Sequence, residues 1–405
     1  MANVSSSNGL EKRPKLRFPG FDEPYVLYRI GDIYAERSER GAADMELLSV
    51  TMNGGVMQRS EIEGKDNSSE DKSNYKVVCK GDMVYNSMRM WQGANGVSPY
   101  DGIVSPAYTV LTAKLPICNE YFAALFKNYK LINEFRKNSQ GMTSDTWNLK
   151  YPQIKTIKVY LPRVTEQEKV ASLLVTLDKR IAAQATLVEQ LKKYKRGLLR
   201  TVFSEKCSHS LLRDTVNRRI DEVCDVLSGK RIPKGETFAP YPTEYRYITV
   251  SDMGEKYVCL DTLQYIAGHT EKQISRYKVR NGDIIISVAG TLGKLNIITP
   301  DLDGVNLTEN CDRFTNFRGI IPEYLYYVLS SDLIQSQIEA SKTKNGQPKL
   351  ALERIRNFVI PVPHQVRQEQ FVGVMSSIDK YITSQQAILN SYCKVRIGLL
   401  QQLFI

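Results

Sequence analysis

The sequence lacks the motifs of the common enzyme classes. It has no P-loop, because the run Gly290–Lys294 is too short and no hydroxyl residue follows its lysine. The G-x-G-x-x-G run of dinucleotide sites is absent. The three histidines lie far apart, and none stands with a serine or cysteine in a recognisable catalytic setting. The residues therefore predict neither a catalytic centre nor a metal site.

Cysteine pairs and long hydrophobic runs are missing as well. The seven cysteines are odd in number and none form a C-x-x-C pair, which disfavours a disulfide scaffold or a zinc site and favours a reducing cytosol. No apolar run reaches the ~18 residues of a membrane span. Residues 1–15 are polar, without the apolar core of a secretory signal. These absences predict a cytoplasmic protein.

Positive charge is in excess. The net charge is +11 and the isoelectric point is near 9.1, while 42% hydrophobic and 24% charged residues are ordinary for a folded soluble protein. Such an excess favours a polyanionic partner, with nucleic acid first and an anionic membrane surface second. A chain of 405 residues is long enough for two or three domains.

One stretch, Thr165–Phe203, has no proline and carries apolar residues at alternating spacings of three and four. This spacing predicts a coiled-coil helix, which at ~1.5 Å per residue would span roughly 58 Å. Two polar residues, Gln184 and Lys195, interrupt the apolar stripe. The stripe consists of Leu174, Leu177, Ile181, Val188, Leu191, Leu198 and Val202.

The same stripe returns 201 positions later, in Gln365–Phe404. Its apolar members are Met375, Ile378, Ile382, Leu389, Leu399 and Leu403. The interruptions return too, as Gln385 and Arg396, which two unrelated amphipathic helices would not share. The chain is therefore an internal repeat. We expect the helices to pack antiparallel, with Gln184 facing Gln385 to fix the register and Lys195 and Arg396 at opposite ends.

The segments before each helix repeat as well. Gly81–Asp82 returns as Gly282–Asp283, between predicted strands, and the amphipathic helix predicted over 119–139 returns at 322–340. The prediction is an α+β protein with two mixed α/β domains related by a pseudo-twofold and two long helices in an antiparallel coiled coil. The expected parts are a flexible N-terminus (1–15), a first domain (16–160), a first helix (161–204), a second domain (205–360) and a second helix (361–405).

The two domains differ most in their loops. Residues 88–106 have only a loose counterpart in 288–304. Two modules that read different targets would share a scaffold and differ in loops, and drift after duplication would give the same pattern. This comparison does not separate the two explanations.

Basic and amide side chains gather in these loops. Arginine and lysine can bind guanine, asparagine and glutamine can bind adenine, and lysine also neutralises phosphates. Each residue alone is more typical of an ordinary surface loop, but the clusters recur at equivalent places of a basic protein. The candidate DNA-binding residues are Arg89, Gln92, Asn95, Lys137, Gln140, Thr143, Ser144, Ser287, Thr291, Lys294, Lys342, Lys344, Asn345, Gln347 and Lys349.

The arrangement resembles the specificity subunits of type I restriction–modification enzymes. The resemblance lies in residues 16–21 (LRFPGF), 161–181 (LPRVTEQEKVASLLVTLDKRI) and 194–203 (YKRGLLRTVF), with second copies at 361–382 and 395–404. It covers essentially the whole chain. It implies a subunit without catalysis of its own, in which each domain is a target recognition domain that reads half of a bipartite DNA sequence.

The resemblance also implies partners. The long helices would separate the two readers and dock two methyltransferase subunits and, through them, restriction–translocation subunits. S-adenosylmethionine, ATP and Mg would be bound by those partners, and this chain would bind no cofactor. The second copy carries Val366 and Arg367 where the first has Thr165 and Glu166, so it lacks the residues of a helix capping box.

Two other functions fit some of the same features. A coiled-coil adaptor could use its two domains to bind proteins instead of DNA. A standalone restriction enzyme with a fused reader is disfavoured, because the repeat occupies the chain and leaves no room for a catalytic domain.

Overall fold

The structure is a computed structural model that describes residues 12–41, 44–52, 54–66, 68–143, 146–204, 215–340 and 349–405. The chain divides into two compact units. The first unit comprises Met1–Thr186 with Gln386–Ile405, and the second comprises Leu187–Gln385. The divisions fall inside the two long helices, so each unit contains one of the two domains and a segment of both helices.

The described part of the first half begins with β1 (Val26–Arg29), α1 (Ile30–Ile33), β2 (Tyr34–Arg37), β3 (Leu48–Thr51), β4 (Gly55–Gln58), β5 (Lys76–Val78), β6 (Met83–Asn86), β7 (Asn95–Val97), β8 (Gly102–Val104) and β9 (Tyr108–Ala113). It continues with α2 (Asn119–Leu125), α3 (Tyr129–Asn138), α4 (Tyr151–Ile154), β10 (Lys158–Leu161) and the long helix α5 (Val164–Val202).

The described part of the second half begins with β11 (Val216–Arg219), α6 (Ile220–Val223), β12 (Asp225–Ser228), β13 (Tyr245–Ile248), β14 (Gln264–Ile266), α7 (Gly268–Ile274), β15 (Ile284–Ser287), β16 (Leu295–Ile297), β17 (Asn306–Leu307) and β18 (Cys311–Thr315). It continues with α8 (Pro322–Leu329), α9 (Asp332–Glu339), α10 (Leu352–Arg356), β19 (Val359–Val362) and the long helix α11 (Gln365–Gln402).

Each unit is built on the same antiparallel sheet. The strand order is β2-β9-β6-β7 in the first unit and β12-β18-β15-β16 in the second. A second antiparallel pair, β1 with β10 and β11 with β19, joins the start of each domain to the strand that leads into its long helix. The expected α+β class, with two mixed domains and long helices, is confirmed.

The ends of the long helices are part of each domain's core. In the first unit, Val170 and Leu174 of α5 share a buried cluster with Leu400 in the last turn of α11 and with Leu403 and Phe404 directly after it. In the second unit the roles are exchanged: the start of α11 and the end of α5 enter one buried cluster with the strands of that domain. Because the start of one helix meets the end of the other within each unit, the segments run antiparallel there.

The buried face of the helices follows the predicted stripe but shifts by one residue near the end of each helix, from Leu198 to Leu199 in α5 and from Leu399 to Leu400 in α11. Leu174, Val188 and Met375 are buried as expected. Near the end of α5, Leu199 is buried whereas Leu198 is only half-buried, because the last turn packs into the core of the second domain instead of continuing the seam.

A buried glutamine holds the start of each long helix. Gln167 donates from Nε2 to the carbonyl of Pro162 (3.0 Å) and accepts from the backbone of Cys118 (3.1 Å). Gln368, at the equivalent place, donates to the carbonyl of Pro363 (2.9 Å) and accepts from the backbone N–H of Ile321 (2.8 Å). Both helices therefore begin at equivalent residues, and the missing capping box in the second copy does not move its start.

Glu166, expected in a capping box, has a different role. Its carboxylate is buried and receives two N–H groups of Arg17, from Nε at 2.9 Å and Nη2 at 2.8 Å. The hydroxyl of Tyr25 donates to the same carboxylate (3.1 Å). The LRFPGF segment is thus tied to the start of α5 by a buried, charge-assisted pair, which the second unit replaces with the exposed Arg367.

The prediction of a single helix over 119–139 is wrong. The segment forms two helices, α2 and α3, because Asn128 interrupts it. The Asn128 side chain accepts from the backbone of Lys130 as an N-cap and donates to the carbonyl of Leu400, and it is buried. The matching segment 322–340 is likewise divided, into α8 and α9.

The Gly-Asp turns are confirmed, but their flanking strands differ from the prediction. Gly81 and Gly282 have φ values of +94° and +83°, which favour glycine. Asp82 and Asp283 each accept from the backbone three residues earlier. The strands beside Gly81 do not form a hairpin, since β5 pairs with β8 while β6 pairs with β7 and β9. No strand forms over 277–279.

Candidate nucleic-acid interface

One hydrogen bond brings two loops together in each unit. The backbone N–H of Leu149 donates to the carbonyl of Ser87 at 2.9 Å, and that of Leu350 donates to Val288 at 2.9 Å. The two bonds join residues that are equivalent in the repeat. In the first unit, the loop after β6 therefore lies beside the loop that follows α2 and α3. In the second unit, the loop after β15 lies beside the loop that follows α8 and α9.

These loops hold seven of the ten predicted DNA-binding residues that the structure describes. We call residues 88–94, 139–143 and 146–148 the first paired-loop surface. Residues 289–294 with Lys349 form the second paired-loop surface. Both lie at the end of a buried strand, β6 or β15, so a rigid sheet supports each surface.

Four candidates of the first unit are exposed. Arg89 precedes a turn of 3-10 helix, and Gln140 is held by backbone pairing with the opposite side of its loop. Thr143 lies in the same loop. Lys137 lies in the last turn of α3, next to this surface, and pairs with Glu134 at 2.7 Å, an exposed pair of small energetic value. All four side chains can be reached by a ligand.

Asn95 requires a correction. It is fully buried, and its Nδ2 donates to the carbonyl of Gly93 at 3.0 Å. Its counterpart Asn296 is also fully buried and donates to the carbonyl of Gly254 at 3.1 Å. An asparagine that the repeat retains in the same buried place supports the shared scaffold and does not belong to the accessible surface.

Sequence reasoning missed an aromatic cluster on the first paired-loop surface. The rings of Trp91 and Trp147 meet edge to face, with centroids 5.3 Å apart. The guanidinium of Arg136 lies 5.5 Å above the Trp91 ring, and Gln92 is half-buried beside it in the chain. A usable signal was present, because both tryptophans of the chain fall in these two loops.

The second surface is smaller in its described part. Ser287 is buried, donates to the carbonyl of Thr291 (2.5 Å) and accepts from the backbone of Lys294 (2.9 Å), so it shapes the loop and is not accessible. Thr291 and Lys349 are exposed and Lys294 is half-buried. The predicted residues Ser144, Lys342, Lys344, Asn345 and Gln347 lie outside the described residues.

The part of the chain that the structure describes contains no cluster of three or more histidine, cysteine or acidic residues that could hold a metal. Burial raises the pKa of Cys224 and of Cys311 to about 12, so neither thiol ionises readily near neutral pH. Among the described residues, no helix is long and apolar enough to cross a membrane.

The interruptions of the helix stripe are paired with acids. In the first unit, the guanidinium of Arg396 donates to Asp178. In the second unit, Lys195 lies 2.5 Å from Asp379. Asp178 and Asp379 are equivalent in the repeat, so each unit neutralises its basic interruption in the same way. The pairing of Gln184 with Gln385 would join the two units and stays a prediction.

A model of the type I restriction modification DNA specificity domain matches residues 25–193 and again residues 213–391. The two matches coincide with the two copies of the repeat and together cover most of the chain. The chain therefore belongs to the family of type I restriction–modification DNA specificity proteins. This membership does not favour the adaptor hypothesis.

Individual relatives of this chain are specificity subunits of type I restriction enzymes. The specificity subunit of the type I restriction enzyme MjaVIII of Methanocaldococcus jannaschii is 23% identical over 331 residues, which is 76% of each chain. The specificity subunit of the Escherichia coli enzyme EcoBI is 28% identical over 152 residues, 36% of this chain and 32% of that protein.

Solved structures show the same fold. The S subunit of the type I restriction–modification system from M. genitalium aligns with a TM-score of 0.58 and 16% identity, over 97% of this chain and 99% of that chain. A chain from a study of complex assembly and conformational transition of the type I restriction–modification system aligns with a TM-score of 0.61, at 16% identity, over 95% and 98% of the two chains.

Proposed function

We propose that this chain recognises a bipartite DNA sequence for a type I restriction–modification complex, with one half read by each unit. The observation that carries the proposal is the duplicated scaffold with two different paired-loop surfaces. Drift after duplication could also change the loop side chains, but both copies of the scaffold match the DNA specificity domain, which favours two readers of different DNA targets.

The residues we propose for DNA contact are the accessible candidates of both surfaces. They are Arg89, Gln92, Lys137, Gln140 and Thr143 in the first unit, and Thr291, Lys294 and Lys349 in the second. Their charges suit phosphates and guanine, and their amides suit adenine. The net charge of +11 supports a long-range attraction to DNA.

The long helices would set the distance between the two half-sites. The ends of each helix pack into the domain cores. A change in helix length would therefore change the distance between the two readers. Two half-site readers on a stiff spacer gain specificity, because both must be in register with the duplex. In this proposal the Gln184 and Gln385 side chains face each other and fix the helix register.

Catalysis would reside in partner subunits. We propose two methyltransferase subunits docked on the repeat, since a duplicated scaffold offers two equivalent places, and restriction–translocation subunits bound through them. S-adenosylmethionine for adenine methylation, and ATP with Mg for translocation, would be held by those partners in the cytoplasm.

Duplex binding at several salt concentrations tests the proposal. Phosphate contacts release counterions, so the affinity should fall steeply with salt. Replacing Arg89 and Lys137 together by alanine should reduce the slope of log affinity against log salt by about 2, because each lost phosphate contact removes about 1. The matched control is Lys158→Ala, an exposed lysine outside the paired loops. A flat salt profile for the unaltered chain would refute DNA as the ligand.

A further inference from the structure

The same backbone hydrogen bond joins the paired loops of both units, although the loop side chains differ. The positions of Trp91, Arg136 and Trp147 are occupied in the second copy by Leu292, Gln337 and Pro348. Leu292 packs against the core of its own unit. The loop-closing hydrogen bond is nevertheless 2.9 Å long in both units. The scaffold therefore does not require the aromatic cluster, which leaves a role particular to the first unit.

The cluster combines apolar surface with positive charge. Trp91 and Trp147 are both half-buried, so part of each ring reaches the surface. Met88 is 41% exposed and Met142 fully exposed on the same paired loops. Arg136 is exposed and has no carboxylate within ion-pair distance among the described residues. A ligand at this surface would meet apolar side chains and an unneutralised guanidinium together.

The geometry favours contact through ring edges. Arg136 covers one face of Trp91, and the two rings meet at an interplanar angle of 81°. The Trp91 indole N–H is already used, since it donates to the carbonyl of Met88 at 3.1 Å. A base stacked between open ring faces suits this arrangement poorly. The exposed methyl group of thymine, which apolar side chains contact in the major groove, suits it better.

We propose that Trp91 and Trp147 contact thymine methyl groups in the half-site read by the first unit, and that Arg136 adds charge to this contact. The inference rests on the proposed function. If adenine is methylated in each half, each half-site contains at least one thymine. The second unit lacks the cluster and reads its half without this contact.

The chain's own fluorescence gives the first test, because Trp91 and Trp147 are its only tryptophans. The full chain is titrated with duplex DNA that carries the target found by mapping methylated adenines. Tryptophan emission is measured in parallel with the anisotropy of labelled DNA. We expect emission to change with the same midpoint as anisotropy. Binding by anisotropy with unchanged emission would overturn the inference and leave the proposed function intact, whereas no binding at all would overturn both.

Removing single methyl groups gives the second test. Thymines are replaced by deoxyuridine in one half-site at a time. We expect a several-fold loss of affinity for one half-site only, and no further loss when the protein carries Trp147→Ala. Trp147→Phe should restore most of the affinity, and Lys158→Ala, a change outside the paired loops, should leave the uracil effect unchanged. Equal uracil effects for the unaltered chain and Trp147→Ala would contradict the proposal.

The unfolding midpoint separates contact from folding. Trp147→Ala should bind weakly at an unchanged midpoint in urea. A variant that loses both binding and stability, with a uracil effect like that of the unaltered chain, would assign the cluster a structural role and overturn the proposal.

Discussion

The two units place the same acid at the same position in different surroundings. Asp178 is 48% exposed, and its one ion pair among the described residues is with Arg396. Asp379 is only 16% exposed and binds Lys195 at 2.5 Å and Lys256 at 2.8 Å. Both copies therefore keep an aspartate that neutralises the basic residue of the helix stripe, Arg396 in the first unit and Lys195 in the second.

The difference arises from two residues of the second unit, Lys256 and Tyr327. In the second unit, the ammonium group of Lys256 donates to Asp379. The hydroxyl of Tyr327 donates to the same carboxylate at 2.7 Å. At the equivalent positions the first unit has Gly55 and Phe126, which supply neither an ammonium group nor a hydroxyl. The second unit therefore has a half-buried network of four side chains, whereas the first has an exposed pair.

The largest expected effect comes from removing Asp379. Asp379→Ala leaves two lysines half-buried without their counter-ion, which should cost about 3 kcal/mol of unfolding free energy. Asp178→Ala, the matched change in the first unit, should cost less than ~1 kcal/mol, because its pair is exposed. Urea unfolding of both variants makes the comparison, and equal losses would show that the network adds nothing.

The next effect concerns the helix starts. Glu166→Ala should cost about 2 kcal/mol, because Arg17 would keep its buried place without a carboxylate. The equivalent Arg367 is exposed, and Arg367→Ala should change the unfolding free energy by less than ~0.5 kcal/mol. Hydrogen exchange at the start of α5 and α11 would locate the effect. A loss of protection at both helices would contradict a local role for Glu166.

Acid should affect the second unit through Asp379. Burial alone would raise its pKa, but hydrogen bonds from Lys195, Lys256 and Tyr327 outweigh burial, so the pKa lies below its ordinary value. A lowered pKa stabilises the fold above the unfolded-state value near 4 and ceases to do so as pH falls through the folded-state value. The stability difference between the unaltered chain and Asp379→Asn should therefore shrink below about pH 4. A difference that stays constant down to pH 2.5 would exclude this titration.

The parts that repeat could be predicted from the sequence. The long helices and the Gly-Asp turns followed from spacing, because apolar periodicity and glycine torsion angles are local properties. The pairing of β5 with β8 could not be predicted, since strand partners depend on non-local packing. Asn128 divided a helix because its side chain reaches Leu400, far away in the sequence.

The sequence predicted which loops form the candidate site, but only some of the residues that are accessible in it. Polar character alone selected Asn95 and Ser287, which proved to be buried supports of the loops. Selection by polar character did not include Trp91 and Trp147, because aromatic residues in a loop usually pack locally. The contact between these two loops, which the Ser87–Leu149 hydrogen bond fixes, is a tertiary feature that turns the tryptophans into one surface.

We propose that two readers on a helical spacer recognise a bipartite target. Mapping methylated adenines in cells that carry this chain and its methyltransferase, with and without seven extra residues in the middle of each long helix, tests it most directly. Seven helical residues add ~10 Å, equivalent to about three base pairs. We expect two unchanged half-sites separated by a gap about three base pairs longer. An unchanged gap, or a single continuous target, would contradict it.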